Sequence, residues 1–276
     1  KNKILSIEGN YHGRTMGALS ATHSSKYRKG FEPLLGGFEF APLNDLDAFG
    51  RKLDDETIAV LIEPIQGEGG IHGARDDFLQ GLEKLCRERK ALLMLDEVQS
   101  GIGRTGDFLA YQQSGISPDA VALAKGLGGG FPIGAFWIGE QWSGVFKPGS
   151  HGTTFGGSPL ACAAAHAVLD VIENDRLVEA AREKGLVLRD GLSRLVERFP
   201  TMLEEVRGRG LMLALAMKDD PAELIASLRE RGLLVVGAAG NSIRFLPPLN
   251  VKDSEIGQAL NITEDALAAF QITQSE

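Results

Sequence analysis

The 276-residue sequence contains few of the residues that mark exported, membrane-spanning or metal-binding proteins. Its two cysteines, Cys86 and Cys162, lack the spacing of zinc ligands, and we interpret them as free thiols in a reducing compartment. The five histidines form no H-x-x-x-H or Cys/His pattern, so no metal site is expected. No run of about 18 uncharged apolar residues occurs, and residues 1–8 resemble a short strand rather than a signal peptide. These absences favour a cytoplasmic protein that contacts no membrane.

Basic residues are in the minority. The 29 lysines and arginines are outnumbered by 37 acidic residues, which gives a formal net charge of −8. No basic stripe is present to bind a polyphosphate backbone, so nucleic acid is not an expected partner. Walker A and G-x-S-x-G motifs are also missing, so neither P-loop nor serine-hydrolase chemistry is indicated.

Glycine, in contrast, is abundant, and many of the 35 glycines lie in the turns between a predicted strand and the helix that follows it. Predicted strands lie at 4–7, 38–41, 58–62, 91–95, 120–123 and 133–138, and predicted helices at 45–53 and 76–89. The strands are apolar throughout and are separated by helices. We therefore predict an α/β fold whose mostly parallel sheet is covered by helices on both faces.

The second part of the chain has a different pattern. Long helices are predicted at 158–173 and 177–199, followed by short strands at 211–217, 233–236 and 243–245 and helices at 221–231 and 253–270. We predict a large domain over 1–175, a connecting helix over 176–203 and a small C-terminal α+β domain over 204–276. Because the chain opens without Met inside a strand-like segment, we expect the large domain to lack residues upstream of Lys1.

An acidic residue, Asp96, directly follows the apolar run 91–95. The carboxyl end of a buried strand is where open α/β sheets bind ligands, so Asp96 is well placed for a site. The alternative is that Asp96 only caps the following turn. Residues 101–106 also form a G-x-G-x-x-G pattern, but it does not directly follow the strand or open a helix, and a dinucleotide site is not indicated.

A lysine, Lys125, lies at the end of the next apolar run. Burial disfavours an ammonium ion, so a lysine in this place can act as a neutral amine, as imine formation with an aldehyde cofactor requires. Asp96 on the neighbouring strand would then be the anion that keeps a pyridine nitrogen protonated. The alternative is an exposed lysine in a turn.

Two further turns carry suitable side chains. The turn 8–15 contains Tyr11, which can stack on a flat ring, and Arg14, which can bind a carboxylate. The segment 151–157 places Thr153 and Thr154 among glycines, an arrangement suited to a phosphate. A polar helix cap and an ordinary loop are the alternatives for these two segments.

Five motifs together resemble one known family. They are YHGRT at 11–15, EPIQGE at 63–68, LDEVQSG at 95–101, AKG at 124–126 and HGTTFGG at 151–157. Their order and spacing closely resemble those of the class III, fold-type I aminotransferases that depend on pyridoxal 5′-phosphate (PLP). The resemblance implies a three-layer large domain with a mostly parallel sheet, a smaller C-terminal domain and a homodimer with shared active sites.

The resemblance also implies residue roles. Lys125 forms the imine with PLP, Asp96 pairs with the ring nitrogen, and Thr154 holds the phosphate of the partner subunit's cofactor. The implied cofactor contacts are Tyr11, His12, Asp96, Glu97, Val98, Gln99, Lys125 and Thr154. The implied substrate contacts are Arg14, Glu68, Thr153 and Arg244, with Glu68 able to pair with Arg244 when a monocarboxylate is bound. The family's glycine-rich helix start, whose amides bind the phosphate, falls before the position of Lys1.

Within the family, segments 206–212 and 232–249 most resemble the acetylornithine aminotransferases. The expected reaction is transfer of the terminal amino group of N-acetylornithine to 2-oxoglutarate in arginine biosynthesis. Ornithine, succinylornithine and 4-aminobutyrate aminotransferases are alternatives, because they share the catalytic motifs. A PLP-dependent aminomutase and an inactive, truncated binding protein are alternatives from other classes.

Overall fold

Two separate β-sheets organise the computed structural model, which describes residues 1–273. The strands are β1 (Lys3–Ile7), β2 (Phe38–Ala41), β3 (Thr57–Ile62), β4 (Leu92–Asp96), β5 (Ala120–Leu123), β6 (Ala135–Ile138), β7 (Leu203–Arg209), β8 (Met212–Met217), β9 (Val236–Ala238) and β10 (Ser242–Phe245). The α-helices are α1 (Met16–Ala21), α2 (Ser25–Arg28), α3 (Leu46–Lys52), α4 (Asp76–Arg89), α5 (Pro159–Asn174), α6 (Leu177–Arg198), α7 (Ala222–Glu230) and α8 (Asp253–Thr273). Short 3₁₀ helices span Ala110–Ser114, Lys125–Gly128 and Glu140–Val145.

The first sheet has the strand order β2-β1-β3-β4-β5-β6. All its neighbouring strands are parallel except β6, which pairs antiparallel with β5 at the sheet edge. Apolar side chains of β1, β3 and β4, among them Leu5, Val60 and Leu93, are buried in one core with the apolar face of α4. The predicted α/β fold with a mostly parallel sheet is confirmed.

The second sheet is antiparallel, with the order β7-β8-β10-β9. Its core includes Leu213 and Leu215 of β8 and Phe245 of β10, packed with Leu188 and Leu192 of α6. The helix expected to connect two domains therefore belongs to the core of the small sheet. The amphipathic pattern of α6 arises because one face of the helix is buried against this sheet.

Two strands of the small sheet differ from the expectation. The strand predicted at 233–236 is wrong, because pairing begins only at Val236, the first residue of β9. The preceding residues cap α7: Gly232 has a φ of 87°, and the Leu233 amide donates to the Leu228 carbonyl. Strand β7 was not predicted because its charged residues conceal the alternation of an edge strand.

The sheet topology brings the predicted site residues to one edge. Strands β1, β3, β4 and β5 are parallel and adjacent, so their carboxyl ends lie together. The segments that follow them contain Tyr11, Glu63, Asp96 and Lys125. Within residues 1–273, no helix is long and apolar enough to cross a membrane.

Candidate active site

Asp96 ends β4 and forms two hydrogen bonds of different kinds. Its Oδ1 accepts from the Val98 amide at 3.0 Å, which is the turn-capping contact expected of an acid at a strand end. Its Oδ2 lies 2.7 Å from Nδ1 of His12, in the turn after β1. Only 3% of the His12 side chain and 11% of the Asp96 side chain are exposed. Asp96 thus caps its own turn and also pairs with a residue from another strand end.

Lys125 begins a 3₁₀ helix directly after β5. Its φ of 43° lies in the left-handed region, which is unfavourable for a residue with a side chain and is often found at functional sites. Surrounding protein lowers the pKa of its ammonium group by desolvation, against the opposing effect of the Asp96, Glu63 and Glu68 carboxylates. Lys125 is nevertheless accessible, because it opens onto a cavity.

This cavity has a volume of about 830 Å³, within the range of small-molecule sites. Its polar lining includes Lys125, Gln99, Glu68 and Arg244. Four residues that the sequence places in the site, from four separate segments, therefore face one space.

Arg244 lies in β10 of the small sheet and reaches the cavity. Its Nη1 donates to Oε1 of Glu68 at 2.7 Å, to Oε1 of Gln99 at 3.2 Å and to the Gly67 carbonyl at 3.2 Å. The Arg244 side chain is 6% exposed and the Glu68 side chain 28%. A buried guanidinium is thus paired with a carboxylate that is partly exposed to solvent.

An aromatic pair stands beside Glu68. The rings of Tyr11 and Tyr27 meet edge to face, with centroids 4.8 Å apart. The Arg14 guanidinium carbon lies 4.9 Å from the Tyr27 ring centroid and 5.9 Å from that of Tyr11, both within cation–π range. The Tyr27 hydroxyl donates to Oε2 of Glu68 at 3.3 Å. Tyr27 was missed from the sequence, because segment 24–28 carries no motif that singles it out.

Glu63, which follows β3, is a second carboxylate at the sheet edge. It is buried and accepts hydrogen bonds from the amides of Tyr11 at 2.9 Å and Gly67 at 2.8 Å. Burial is the main cause that raises the pKa of Glu63 to about 7; the nearby Asp96 also raises it, whereas His12 lowers it. Glu63 holds the backbone of the turn that carries Tyr11.

The cavity lining does not include five of the predicted contacts described above, Tyr11, His12, Arg14, Asp96 and Val98, or three further ones, Glu97, Thr153 and Thr154. The Glu97 carboxylate accepts from the Ala110 amide at 2.7 Å and the Tyr111 amide at 2.9 Å, so it supports the chain after the site. Thr153 and Thr154 lie in an exposed loop, where Thr153 Oγ1 accepts from the Gly156 amide at 3.2 Å. The roles of these three residues toward cofactor and substrate stay predictions.

The fold and this site define a class of enzyme. The family model of the class-III aminotransferases matches residues 1–267, and the chain belongs to this family, which confirms the resemblance of its motifs. The acetylornithine aminotransferase of Caldanaerobacter subterraneus subsp. tengcongensis is 47% identical over 270 residues, which cover 98% of this chain and 68% of that protein. The acetylornithine aminotransferase of Gloeobacter violaceus is 48% identical over 272 residues, with coverage of 98% and 68%.

A solved structure agrees with the sequence relatives. The ornithine aminotransferase from Toxoplasma gondii, crystallised with oxidised glutathione and with PLP at partial occupancy in its active site, superposes with a TM-score of 0.95 at 34% identity. The alignment covers 100% of this chain and 67% of that one. The chain therefore spans about two thirds of the length of these relatives.

Proposed function

We propose that the chain carries the central catalytic groups of a PLP-dependent aminotransferase that acts on N-acetylornithine, or a related ω-amino acid, and 2-oxoglutarate in arginine biosynthesis. The observation that carries the proposal is the cavity shared by Lys125, Gln99, Glu68 and Arg244, with Asp96 at the end of the neighbouring strand. The two acetylornithine aminotransferases support the choice of amino donor.

The residues at the sheet edge suit PLP chemically. When bound, PLP supplies a carbonyl for the amine and an electron sink. Asp96 would hold the protonated ring nitrogen, Tyr11 would stack on the ring, and Gln99 would approach the phenolic oxygen. Each carboxylate oxygen of Asp96 accepts a hydrogen bond from the protein. The position of Asp96 at the end of β4 supports its role as the anion beside the ring nitrogen. Lys125 provides the amine that links to the aldehyde.

Lys125 also moves a proton in this proposal. A lysine accepts a proton only in its neutral form, and desolvation lowers the pKa of Lys125 in the required direction. Its Nζ would take the proton from the substrate carbon that bears the amine and hold it for return later in the reaction. The accessible position of Lys125 on the cavity supports this role.

Two arginines account for the two substrates. N-acetylornithine has one carboxylate and 2-oxoglutarate has two. Arg14 binds the carboxylate distant from the reacting carbon, and Arg244 binds the second carboxylate when there is one. When there is none, Glu68 neutralises Arg244, and the ion pair of 2.7 Å between Glu68 and Arg244 supports this exchange. Thr153 would complete the substrate site.

A second candidate donor is ornithine. The solved ornithine aminotransferase of Toxoplasma gondii has the same fold as this chain at a TM-score of 0.95, and this observation favours the candidate. Ornithine differs from N-acetylornithine in the free α-amino group, which is distant from the reacting carbon. Succinylornithine and 4-aminobutyrate present the same terminal amine, so Lys125 and Asp96 would act on them in the same way.

The active protein would be a cytoplasmic homodimer. Several large apolar side chains between residues 137 and 160 are exposed, among them Trp137, Val145, Phe155 and Leu160. Exposed large apolar side chains concentrated in one part of the chain support an interface. Thr153 and Thr154 lie in the same part of the chain, where Thr154 can serve the phosphate of the partner's cofactor. The free cysteines Cys86 and Cys162 fit a reducing compartment.

Substrate profiling tests the proposal. The full-length protein, loaded with PLP, is given 2-oxoglutarate with each of the four amino donors, and glutamate formation is measured. We expect kcat/KM to be highest for N-acetylornithine, and the matched variant Lys125→Ala to form no glutamate with any donor. A higher kcat/KM for ornithine would establish the second candidate instead. Glutamate formation by Lys125→Ala at the wild-type rate would contradict the catalytic assignment.

A further inference from the structure

A short path of hydrogen bonds leads from a backbone amide to Asp96. We propose that Asn10 is a positioning residue that fixes the imidazole of His12 in its Nδ1-protonated tautomer and so keeps a hydrogen-bond donor on Asp96. The tautomer follows from the contacts of the chain alone. Its value for holding a protonated cofactor ring rests on the proposed function.

The path begins at the amide of His23, which donates to Oδ1 of Asn10 at 2.7 Å. A backbone N–H can only donate, so the atom of Asn10 that faces it must be the amide oxygen. The amide nitrogen Nδ2 then points the other way. Asn10 is fully buried, so water cannot compensate a reversed amide, in which two donors would face each other.

The two protons of Asn10 Nδ2 have two acceptors. One acceptor is Oγ of Ser6, whose own hydroxyl proton is donated to the Leu61 carbonyl at 2.5 Å. The other is Nε2 of His12, 3.0 Å from Nδ2. His12 Nε2 must therefore present its lone pair. Ser6 Oγ and His12 Nε2 lie 3.2 Å apart, and both accept a hydrogen bond from Nδ2 of Asn10.

A ring with a lone pair on Nε2 carries its proton on Nδ1. His12 Nδ1 lies 2.7 Å from Oδ2 of Asp96, so the proton points at the carboxylate. The Val98 amide occupies Oδ1, and Asp96 thus receives one donor on each oxygen. A carboxylate can accept both of these hydrogen bonds.

The His12–Asp96 pair by itself is compatible with an imidazolium ion, in which both ring nitrogens are protonated. The contact with Asn10 distinguishes the neutral ring from the imidazolium, because the Nε2 proton of an imidazolium would point at the amide protons of Asn10. The orientation of one buried amide, set by the His23 backbone, therefore determines which form of His12 meets Asp96.

Nitrogen NMR of the imidazole tests the proposal. Chain labelled with ¹⁵N-histidine is studied at neutral pH with and without added PLP, and the His12 signals are assigned with the variant His12→Gln. We expect a pyrrole-type Nδ1 and a pyridine-type Nε2 in both samples. An Nε2-protonated ring, or an imidazolium, in the wild-type chain without PLP would overturn the proposal. A correct tautomer in a chain that binds no PLP would instead count against the proposed function alone.

Two variants identify Asn10 as the cause. Asn10→Asp keeps the shape but turns an oxygen toward His12, so Nε2 should lose its pyridine-type signal and gain a proton. The control Ser6→Ala removes the other acceptor of Asn10 and should leave the His12 tautomer unchanged. An unchanged tautomer in folded Asn10→Asp, or a changed one in Ser6→Ala, would contradict the role of Asn10. If Asn10→Asp does not fold, the His12 tautomer in the spectra of the wild type and of Ser6→Ala tests the proposal.

Discussion

Oε1 of Glu68 lies 2.7 Å from Nη1 of Arg244, and this ion pair joins the segment after β3 to strand β10 of the small sheet across the cavity that contains Lys125. The Arg244 side chain is 6% exposed and the Glu68 side chain 28%. In the proposed function, the pair provides a positive charge that Glu68 neutralises in one state of the site and a substrate carboxylate binds in the other.

The variant Glu68→Gln tests this exchange. Without the Glu68 charge, Arg244 is left uncompensated beside a monocarboxylate, whereas a dicarboxylate still neutralises it. We expect kcat/KM for N-acetylornithine to fall relative to that for 2-oxoglutarate by about tenfold, corresponding to about 1.4 kcal/mol. Steady-state kinetics of the full-length protein with each substrate varied in turn measure the ratio. An equal fall for both substrates would show that Glu68 does not discriminate between them.

Mixing two inactive variants tests whether the active sites are shared. Lys125→Ala and Thr154→Val are prepared separately as full-length proteins and then allowed to exchange subunits. If Thr154 serves the partner's cofactor, one site of each mixed dimer carries both lesions and the other carries neither. We expect activity well above that of either parent. No gain in activity, despite exchange demonstrated by mass spectrometry of labelled subunits, would place Thr154 at its own subunit's site or at none.

The raised pKa of Glu63 predicts a pH-dependent stability. The folded chain binds this proton more tightly than the unfolded chain, so the stabilisation is complete below pH 4.5 and is lost as the pH rises through about 7. Glu63→Gln does not titrate. We expect its free energy of unfolding, relative to wild type, to increase by about 1–3 kcal/mol between these pH values.

Urea unfolding at a series of pH values measures this difference. The matched control is Glu230→Gln at the exposed end of α7, which makes the same substitution without removing a buried carboxylate. A difference for Glu63→Gln that stays constant from pH 4.5 to 8 would show that Glu63 is already ionised in the folded chain at low pH.

Gly185 of α6 lies where the helix touches the turn between β7 and β8. A Cβ atom at this position would be 2.4 Å from the carbonyl oxygen of Gly210, which belongs to the backbone and cannot turn away. We expect Gly185→Ala to lower the free energy of unfolding by about 1–3 kcal/mol. The control Gly257→Ala in α8 meets no atom within 4 Å and should raise it by up to about 1 kcal/mol through helix propensity. Equal effects of the two variants in urea unfolding would exclude the predicted clash.

The sequence pattern predicted those features of the fold that depend on residues close together in the chain. Apolar strands followed by polar turns identified the sheet edge, and with it Asp96 and Lys125, because parallel strands align their carboxyl ends. The Glu68–Arg244 contact joins residues 176 positions apart, and only the family resemblance implied it. Tyr27 was not predicted because its hydrogen bond joins α2 to Glu68, 41 positions further along the chain.

The errors in the small sheet also have physical causes. Leu233 and Val235 pack into the core of the small sheet, whereas Leu234 between them is exposed. An apolar run of that length cannot be distinguished from a strand by its pattern. Strand β7 contains four charged residues, of which Glu204 and Glu205 are exposed, and it pairs on one side only, so its sequence lacks an apolar run. The hydrogen bond between His12 and Asp96 joins two strand ends, and no spacing rule predicts its geometry.

The most direct test of the central claim, that Lys125 is the amine that binds the cofactor, is peptide mass spectrometry after borohydride reduction. The full-length protein is incubated with PLP, reduced and digested, and the variant Lys125→Arg is treated in the same way. We predict loss of the visible absorption band on reduction and the reduced cofactor on the peptide that contains Lys125, with no labelled peptide from Lys125→Arg. Reduced cofactor on another lysine in the wild-type protein, or an unmodified Lys125 in protein that binds PLP, would contradict the account.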